Sequence, residues 1–438
     1  MFIPKSTNAI IHQARYLPKC VFMKLQRIRG TTDLYGQDIE LFNLVIHLTK
    51  KLAKTYSFQE ISTPIMEDSK VFCTLGETSD IVNKETYSFL DRDKTSITLR
   101  PEFTAAIVRA VISNGMLQSL PLRLFSYGPL FRHERPQKCR LRQFHQINFE
   151  YMGSSHLNVD IELVTLAHDI LSGLGINNNA ILLVNTLGTP KCRDNYKAAL
   201  IDYLSKYKSE LSDISLQRLE RNPLRILDTK DEKERKIVRE APILYDFIDK
   251  DLKKRFEKIL SHLALLNIKF EQLPNLVRGL DYYSDFVFEF VTYDLGSQGT
   301  ILAGGRYDGL ISQMGGNAIP AAGFAAGIER LIELLKPYHK KVEEQKQVYL
   351  VPIGHEAEDY SLSLSHKLRS HEFDIQVDYG LTLKKRMQKA NRLGVKYCII
   401  FGEEELKSKN FVLKNMLNGE EVKMNDSSLV QHLKENYQ

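Results

Sequence analysis

The chain of 438 residues has few cysteines, and their arrangement excludes several classes of protein. The five cysteines are scattered, with no CxxC pair and no spacing typical of metal ligands. An odd, dispersed set argues for reduced thiols in a cytosol-like compartment and against a structural zinc site. Long apolar runs are also missing, so no segment is predicted to span a membrane. With 43% hydrophobic and 26% charged residues, the sequence predicts a globular cytoplasmic protein.

The familiar nucleotide-binding motifs are absent as well. The sequence has no GxxxxGK followed by Ser or Thr, and its glycine-rich segment GGRYDGL lacks the GxGxxG spacing. An ATP site in this protein would therefore be neither a P-loop nor a Rossmann site. The formal net charge of +6 permits a polyanionic partner but is too small to demand one.

Acidic residues are missing from residues 1–32, which contain six lysines and arginines. A basic leader without acids is typical of an organellar transit peptide. The alternative, which we favour, is an unstructured extension over residues 1–22, upstream of a natural start at Met23. Organellar import follows from the first interpretation and a cytoplasmic location from the second.

The length of the chain favours two or three domains over a single core. Charged helical segments at about residues 185–273 interrupt a pattern of strands and helices and predict a helical insertion. Residues 336–347 are polar and charged, which is typical of a linker. Beyond it, residues 348–438 alternate between strand and helix patterns and predict a small α/β domain, with a hairpin at Asn418-Gly419.

One stretch, FRHERPQKCRLRQFHQINFEY at residues 131–151, concentrates positive charge. Its first twelve residues contain five basic side chains and a single acid, Glu134. The arginines repel one another unless an anion lies among them, and a planar guanidinium group fits two phosphate oxygens at once. A triphosphate bound beside a small polar molecule is the natural interpretation.

The second half of the same stretch alternates as a half-buried strand does. Residues two apart on a strand share a face, so Gln146, Asn148 and Glu150 are predicted on one face and Ile147 and Phe149 on the other. A polar row of this kind is more often a solvated sheet face than a ligand site. The neighbouring arginines favour the ligand site here.

Two further segments fit a site for a nucleotide and a small molecule. The segment NLVRGLDYYSDFVFEF places Arg278 in a glycine-containing turn before an aromatic strand. The segment GGNAIPAAGFAAGIERLIELL is a strand of small residues that runs into a helix with Glu329 and Arg330. Small residues allow a ring or a chain to approach the backbone closely. Alone, Arg330 would more often be a partner in a surface salt bridge.

Together these stretches resemble a known family, the class II aminoacyl-tRNA synthetases in their histidyl form. FRHERPQKCRLRQFHQINFEYMG is similar to motif 2, GFAAGIER to motif 3, and the helix and strand ending at Pro64 to motif 1. LVRGLDYY and GGRYDGL resemble the two signatures of histidyl-tRNA synthetases, and LRPEFTA resembles their loop between motifs 1 and 2. The resemblance covers about residues 25–430 in the family's order.

The resemblance implies an α+β fold, with a class II antiparallel sheet, flanking helices and a helical insertion. Residues 23–335 would form the catalytic domain and residues 348–438 an α/β anticodon-binding domain. The implied activity joins histidine and ATP into histidyl-adenylate and pyrophosphate, then transfers histidine to the 3′ end of tRNA(His). A homodimer formed through motif 1 is also implied.

A regulatory protein is the alternative to an enzyme. Synthetase-like paralogues that partner the first enzyme of histidine biosynthesis keep the fold without charging tRNA. Such relatives lack the C-terminal domain and degrade the LVRGLDYY signature, and this chain has both features. We therefore favour the enzyme.

For ATP, the resemblance implies four binding residues and one further catalytic arginine. Arg132 would bind the α-phosphate, and Arg278 would lie across it, replacing the charge of a metal ion. Mg²⁺ is expected on the triphosphate, without a metal ligand from the protein. The implied ATP-binding residues are Arg132, Glu134, Arg140 and Arg330.

For histidine, the resemblance implies six residues. Glu150 and Tyr283 would bind the imidazole, beside Tyr307 in the pocket wall, because the two ring nitrogens need a donor and an acceptor. The α-ammonium group would be bound by Glu102, Thr104 and Gln146.

Three positions depart from the family pattern. Phe103 and Cys139 each stand where relatives commonly have glycine, and His133 replaces a frequent tyrosine. The first two departures concern the floor of the pocket and the loop of motif 2. None of the three removes a group with an implied chemical role.

Overall fold

The computed structural model describes residues 25–73, 85–137, 139–227, 229, 231–277, 280, 282–296, 299–339 and 348–436. The expected extension at 1–22, the expected catalytic residue Arg278 and most of the expected linker lie outside these residues. The chain divides into two compact units, with the boundary between Tyr338 and His339. Within the described residues, no helix is long and apolar enough to cross a membrane.

The first unit is built around an eight-stranded sheet in the order β1-β5-β6-β11-β10-β9-β7-β8, with a small three-stranded sheet in the order β2-β4-β3. Its strands are β1 (Gln59–Glu60), β2 (Met66–Asp68), β3 (Tyr87–Leu90), β4 (Ser96–Leu99), β5 (Leu122–Phe131), β6 (Gln143–Met152), β7 (Ile181–Thr186), β8 (Phe270–Gln272), β9 (Ser284–Val291), β10 (Thr300–Arg306) and β11 (Ala321–Gly327). Its helices are α1 (Gln37–Thr55), α2 (Lys70–Cys73), α3 (Thr104–Ser113), α4 (Leu157–Gly173), α5 (Pro190–Ser205), α6 (Asp213–Arg221), α7 (Glu232–Arg239), α8 (Lys250–Leu265), α9 (Leu310–Gln313) and α10 (Ile328–Leu335).

The large sheet is antiparallel through its centre. The pairs from β5 through β6, β11, β10 and β9 to β7 are antiparallel, whereas the pairs β1–β5 and β7–β8 at the two edges are parallel. The expected fold, an antiparallel sheet with flanking helices, is confirmed. Helices α5 to α8 lie in the chain between β7 and β8, and both of these strands belong to the large sheet.

Capping side chains set where the helices between β7 and β8 begin. Thr189 accepts a hydrogen bond from the backbone N–H of Cys192 at 3.3 Å, and Pro190 opens α5. Asp249 accepts from the backbone N–H groups of Asp251 and Leu252 at 3.1 and 2.9 Å. Such caps satisfy amides that have no partner inside the helix. The sequence thus specifies these helix starts locally.

The large sheet is buried on both faces, and strand alternation separates them. On β9, Phe288 joins a core cluster with residues of α1, α4, α8 and α10, whereas Val287 joins a second cluster with residues of α3 and α5. On β6, Ile147 and Phe149 belong to the first cluster. The rings of Phe149 and Phe324 stack with their centroids 4.9 Å apart. The second face carries the cavity described below.

A buried charge network ties the sheet to two helices. Arg306, only 1% exposed, donates a hydrogen bond to Asp160 of α4 at 2.9 Å, and Asp160 is also 1% exposed. Arg255 of α8 pairs with the other oxygen of Asp160 and lies 2.8 Å from Asp285 of β9. Buried charges of this kind are tolerated only when they are paired and hydrogen-bonded.

The second unit is a small α/β domain with a five-stranded sheet in the order β13-β12-β14-β15-β16. Its first three strands are parallel and its last two antiparallel, and the predicted hairpin joins β15 to β16, with Gly419 at φ 77°. The elements are β12 (Val348–Pro352), α11 (His355–Arg369), β13 (Ile375–Val377), α12 (Leu383–Arg392), β14 (Tyr397–Phe401), α13 (Glu403–Ser408), β15 (Asn410–Asn415), β16 (Glu421–Asn425) and α14 (Asp426–Asn436).

Removing one partner from the buried charge network should destabilise the protein strongly. We expect Asp160→Asn to lower the free energy of unfolding by about 3–5 kcal/mol, because Arg306 and Arg255 lose the buried counter-charge that they share, and Arg306 keeps only a longer contact with the partly exposed Asp308. Burial raises the pKa of Asp160 to about 7, so urea unfolding is measured at a fixed pH of ~8.5, where Asp160 of the parent is ionised. As a matched control, Glu232→Gln breaks an exposed ion pair with Arg235, which should be worth less than ~1 kcal/mol. Equal losses in the two variants would contradict the importance of the network.

Candidate active site

A central cavity of about 810 Å³ opens on the polar face of the large sheet. Ten of the eleven residues that the resemblance implies for the site are described by the structure, and all ten line this cavity. They are Glu102, Thr104, Arg132, Glu134, Arg140, Gln146, Glu150, Tyr283, Tyr307 and Arg330. Residues far apart in the sequence are therefore brought to one place. Arg278 lies outside the described residues.

Strand β6 forms part of the cavity wall with every second residue. Gln146, Asn148 and Glu150 line the cavity, and Ile147 and Phe149 lie in the apolar core on the other side. This is the alternation that the sequence predicts. Because Asn148 and Glu150 are 2% and 1% exposed, a solvated sheet face is excluded for this part of the strand.

Glu150 is a buried carboxylate with three donors from three segments. Thr104 Oγ1 donates to its Oε1 at 2.6 Å and Asn148 Nδ2 to the same oxygen at 3.1 Å. The Tyr307 hydroxyl donates to Oε2. Burial raises the pKa of Glu150 to about 8, although these donors favour the ionised form. The group can therefore change its charge near physiological pH.

A second buried carboxylate, Glu102, caps helix α3. Its two oxygens accept from the backbone N–H groups of Thr104 and Ala105, both at 2.7 Å. Burial raises the pKa of Glu102, and the two backbone donors oppose that effect. A helix N-terminus stabilises negative charge. The structure thus holds Glu102 at one fixed place in the wall, with Thr104 beside it.

Strand β11 closes the cavity floor with backbone instead of side chains. A Cβ atom at Gly323 would overlap the Glu150 carboxylate and would lie 2.5 Å from the Phe149 carbonyl oxygen. Glycine is required where the backbone approaches another group this closely. The run of small residues that the sequence shows in β11 therefore makes room for the Glu150 side chain.

Three arginines also line the cavity, and their charges interact. Arg132 donates through Nε to the Pro101 carbonyl oxygen at 2.9 Å and lies 5.1 Å above the Phe144 ring. Arg140 forms an ion pair with Glu134. Burial lowers the pKa of Arg132 and of Arg330, and repulsion by Arg132 and Arg140 adds to the effect at Arg330. An anion placed among these groups would relieve the repulsion.

Two departures from the family pattern lie in the wall of the cavity. Cys139 adopts φ 59°, in the left-handed region that favours glycine, so the loop keeps a glycine-like backbone with a thiol in place of hydrogen. Phe103 is 1% exposed, and the Arg100 guanidinium lies 4.5 Å from the centre of its ring. The phenyl group is thus part of the packed floor.

Several residues that line the cavity were not predicted. Tyr282 is 8% exposed, and its ring centroid lies 4.8 Å from that of Tyr283 and 5.7 Å from that of Tyr307. Arg235 and Asn275 also reach the wall, from α7 and from the segment after β8. Adjacent tyrosines in DYYSDF were a usable signal. The charged helical pattern around Arg235 was not a usable signal, because the same pattern is typical of a solvated helix surface.

Family models match both units of the chain. The model described as histidyl-tRNA synthetase matches residues 30–331. The chain belongs to the histidyl-tRNA synthetase family. A model described as anticodon binding domain matches residues 347–436 of the same chain.

Relatives within the histidyl-tRNA synthetase family extend over nearly all of the chain. The histidine–tRNA ligase of Wolbachia pipientis wMel is 48% identical over 400 residues, which are 91% of this chain and 97% of that protein. The histidine–tRNA ligase of Rickettsia bellii is 44% identical over 413 residues, 94% of this chain and 99% of that protein. The apo structure of S. aureus histidyl-tRNA synthetase is 31% identical with a TM-score of 0.78, covering 94% of this chain and 100% of that chain.

The raised pKa of Glu150 gives a prediction about pH. Because the folded pKa of about 8 lies above the value in the unfolded chain, protonated Glu150 stabilises the fold at low pH. That stability is lost as pH rises through about 8. Relative to the parent, Glu150→Gln should therefore gain stability between pH ~5 and ~9.

Urea unfolding of both proteins across this pH range measures the difference. A Glu220→Gln variant, changed at an exposed carboxylate, controls for the general loss of one negative charge. A stability difference between Glu150→Gln and the parent that does not vary with pH would contradict the prediction.

Proposed function

We propose that this chain is a histidine–tRNA ligase that activates L-histidine with ATP and transfers it to the 3′ end of tRNA(His). The observation that carries the proposal is the mixture of opposite charges that line the central cavity. The buried carboxylates Glu102 and Glu150 line the same cavity as Arg132, Arg140 and Arg330, and the charge of Arg132 interacts with both Glu102 and Arg330. An amino acid whose ammonium is bound by the carboxylates would present its own carboxylate to a nucleotide bound by the arginines. Membership in the family supports ATP as a substrate.

The reaction joins two bound substrates without a protein nucleophile. A carboxylate oxygen of histidine forms a bond to the α-phosphorus, and the bond from that phosphorus to the bridging oxygen breaks, so pyrophosphate leaves. The chemistry needs positioning and charge neutralisation. We assign the α-phosphate to Arg132 and to Arg278, and the γ-phosphate end to Arg330. Arg140 adds a further phosphate contact, next to Glu134 in the ATP-binding set.

Selection of histidine depends on the hydrogen-bonding groups of the pocket. Glu150 and Tyr283 would bind the two ring nitrogens, and Tyr307 fixes Glu150 through its hydroxyl. Glu102, Thr104 and Gln146 would bind the α-ammonium group. A substrate without the ring nitrogens would leave buried polar groups unpaired, which supports discrimination of ~10⁴ or more. The buried position of Glu150 supports this assignment.

We also propose that Mg²⁺ binds together with the triphosphate of ATP. Among the described residues, no group of three or more His, Cys, Asp or Glu side chains could hold a metal ion. Glu134 is paired with Arg140, and Glu329 accepts the His145 N–H at 2.9 Å. These residues fit an ion held mainly by phosphate oxygens. When bound, it would neutralise charge on the β- and γ-phosphates.

The remaining assignments follow the domains. We keep residues 23–335 as the catalytic domain, with the insertion at about 185–273, and residues 348–438 as the anticodon-binding domain. The family match at residues 347–436 supports the second assignment. It also argues against the regulatory alternative, which is expected to lack that domain. The cytoplasmic location stays part of the proposal.

We also propose a homodimer formed through the motif 1 region. Large apolar side chains in or directly after that region are exposed, including Leu44 at 45%, Ile65 at 40% and Met66 at 58%. Burial of these residues against a second copy would remove them from water.

Histidine-dependent ATP–pyrophosphate exchange tests the proposed activity. The parent should catalyse exchange, whereas a regulatory paralogue should not. Arg132→Ala and Arg278→Ala should each reduce exchange by ~10²–10³ or more, because a preorganised charge at the α-phosphate is lost. Arg135→Ala changes an exposed arginine of the same loop and should leave exchange unchanged. Near-normal exchange by the first two variants would refute their roles.

The alternation of cavity-facing and core-facing side chains on β6 gives a second kinetic prediction. Glu150→Ala should raise the KM for histidine by tenfold or more and leave the KM for ATP nearly unchanged, because the ring loses its partner and the groups that lose their acceptor, such as Thr104 and Tyr307, also belong to the histidine pocket. Ile147→Val, on the core side of the strand, should cost ~0.5–1.5 kcal/mol of stability without changing either KM. If Ile147→Val changed the histidine KM and Glu150→Ala did not, Ile147 and not Glu150 would face the cavity, and the proposal would be wrong.

A further inference from the structure

A second cavity, of about 300 Å³, lies behind the wall of the central cavity. Both cavities are lined by Leu227, Val277, Leu280 and Tyr283, so these side chains separate them. The outer wall comes from α5 and from the segment that joins α6 to Leu227. The volume is at the lower end of the range for ligand sites and suits one ring with one attached group.

The described residues that line the second cavity combine apolar surface with positive charge. Four of them are cations, Arg193, Lys197, Arg221 and Arg225, and one, Asp194, is an acid. Asp194 is 74% exposed, and its carboxylate lies 3.9 Å from Lys197 Nζ. A single exposed acid leaves an excess of positive charge in the wall. Cations set in an apolar pocket favour an anion over a neutral ligand.

Tyr196 gives an independent indication of a ligand. The residue lines the cavity, is 1% exposed, and packs its ring 5.5 Å from that of Phe247. Its hydroxyl makes no hydrogen bond with any residue that the structure describes. A buried hydroxyl without a partner is costly, and such a group in a native protein calls for an explanation. An acceptor atom of a bound molecule would provide one.

A direct contact joins the second cavity to the pocket assigned to histidine. Arg193, on the wall of the second cavity, donates through Nη1 to the backbone carbonyl oxygen of Tyr283. Tyr283 lines both cavities and is 8% exposed. An anion that binds the Arg193 guanidinium would compete with the hydrogen bond from Arg193 to the Tyr283 carbonyl oxygen. The position of the Tyr283 backbone would then change.

We infer that the second cavity binds a small organic anion, a phosphate or carboxylate group on a flat apolar body, and that its occupancy changes the affinity for histidine. The anionic group would contact Lys197 and the neighbouring arginines, and an acceptor atom would meet the Tyr196 hydroxyl. The flat body would lie against the leucines that separate the two cavities. The effect on histidine rests on the proposed function, whereas binding itself does not.

Binding is tested with phenyl phosphate and with benzoate, which distinguish a phosphate from a carboxylate ligand, and with neutral benzyl alcohol as the uncharged control. Saturating histidine and a non-hydrolysable ATP analogue occupy the central cavity throughout. Calorimetry should show saturable binding of at least one anion and none of the alcohol. Lys197→Gln and Tyr196→Phe should each weaken it about fivefold to tenfold. Lys254→Gln changes an exposed side chain on α8 and should not weaken anion binding.

Three results would overturn the site. They are the absence of saturable binding by either anion, equal binding by the parent and both cavity variants, and binding that disappears whenever the central cavity is filled. The last result would place the anions in the nucleotide site. Thermal unfolding of each variant verifies that it is folded, and Lys197→Gln changes a side chain that is 40% exposed, so it should fold normally.

Coupling is measured by the KM for histidine in pyrophosphate exchange, with and without the anion that binds. The anion should shift the histidine KM in the parent and leave the ATP KM unchanged. Arg193→Lys keeps the charge but loses the fork that reaches Tyr283, so it should bind the anion and lose the shift. Binding without a shift in the parent would refute the coupling. Absence of exchange in every protein would instead refute the proposed function.

Discussion

The geometry of the central cavity depends on one buried carboxylate. Glu150 accepts hydrogen bonds from Thr104 at the start of α3, from Asn148 on its own strand and from Tyr307 after β10. A buried carboxylate without such donors would be too costly to keep. The helix, the sheet and the following turn must therefore hold their relative positions for the fold to be stable. Stability and binding geometry are set by the same contacts.

The central cavity brings buried acidic side chains and partly buried arginines into one wall. Little water screens such groups, so their charges interact more strongly than charges on the surface do. Arg132, for example, interacts both with Glu102 and with Arg330. Desolvation of these side chains is the cost of the arrangement, and it is visible in the raised pKa of Glu150 and the lowered pKa of Arg330.

Local sequence patterns were sufficient to predict strands, helices and turns, but they were not sufficient to predict how these elements pack together. The alternation on β6 and the turn at Gly419 depend on neighbouring residues, and both were predicted. The pairing of β6 with β11, or the salt bridge from Arg306 to Asp160, joins residues far apart in the chain, 146 positions in the second case. Periodicity contains no information about such partners. The polar row on β6 and the arginine cluster were predicted from the residues themselves, whereas the individual roles of the eleven site residues came from a family resemblance. Tyr282 and Arg235 were missed, and Arg235 became visible only once packing was known.

The glycine at position 323 sets a limit on how this pocket could change. Any side chain there collides with the carboxylate that the rest of the site holds in place, so the floor cannot be altered by single substitution. New selectivity, by evolution or by engineering, has to arise from other residues of the wall. Leu227, Val277 and Leu280, which also border the second cavity, are such residues, so a change of selectivity there would alter both cavities at once.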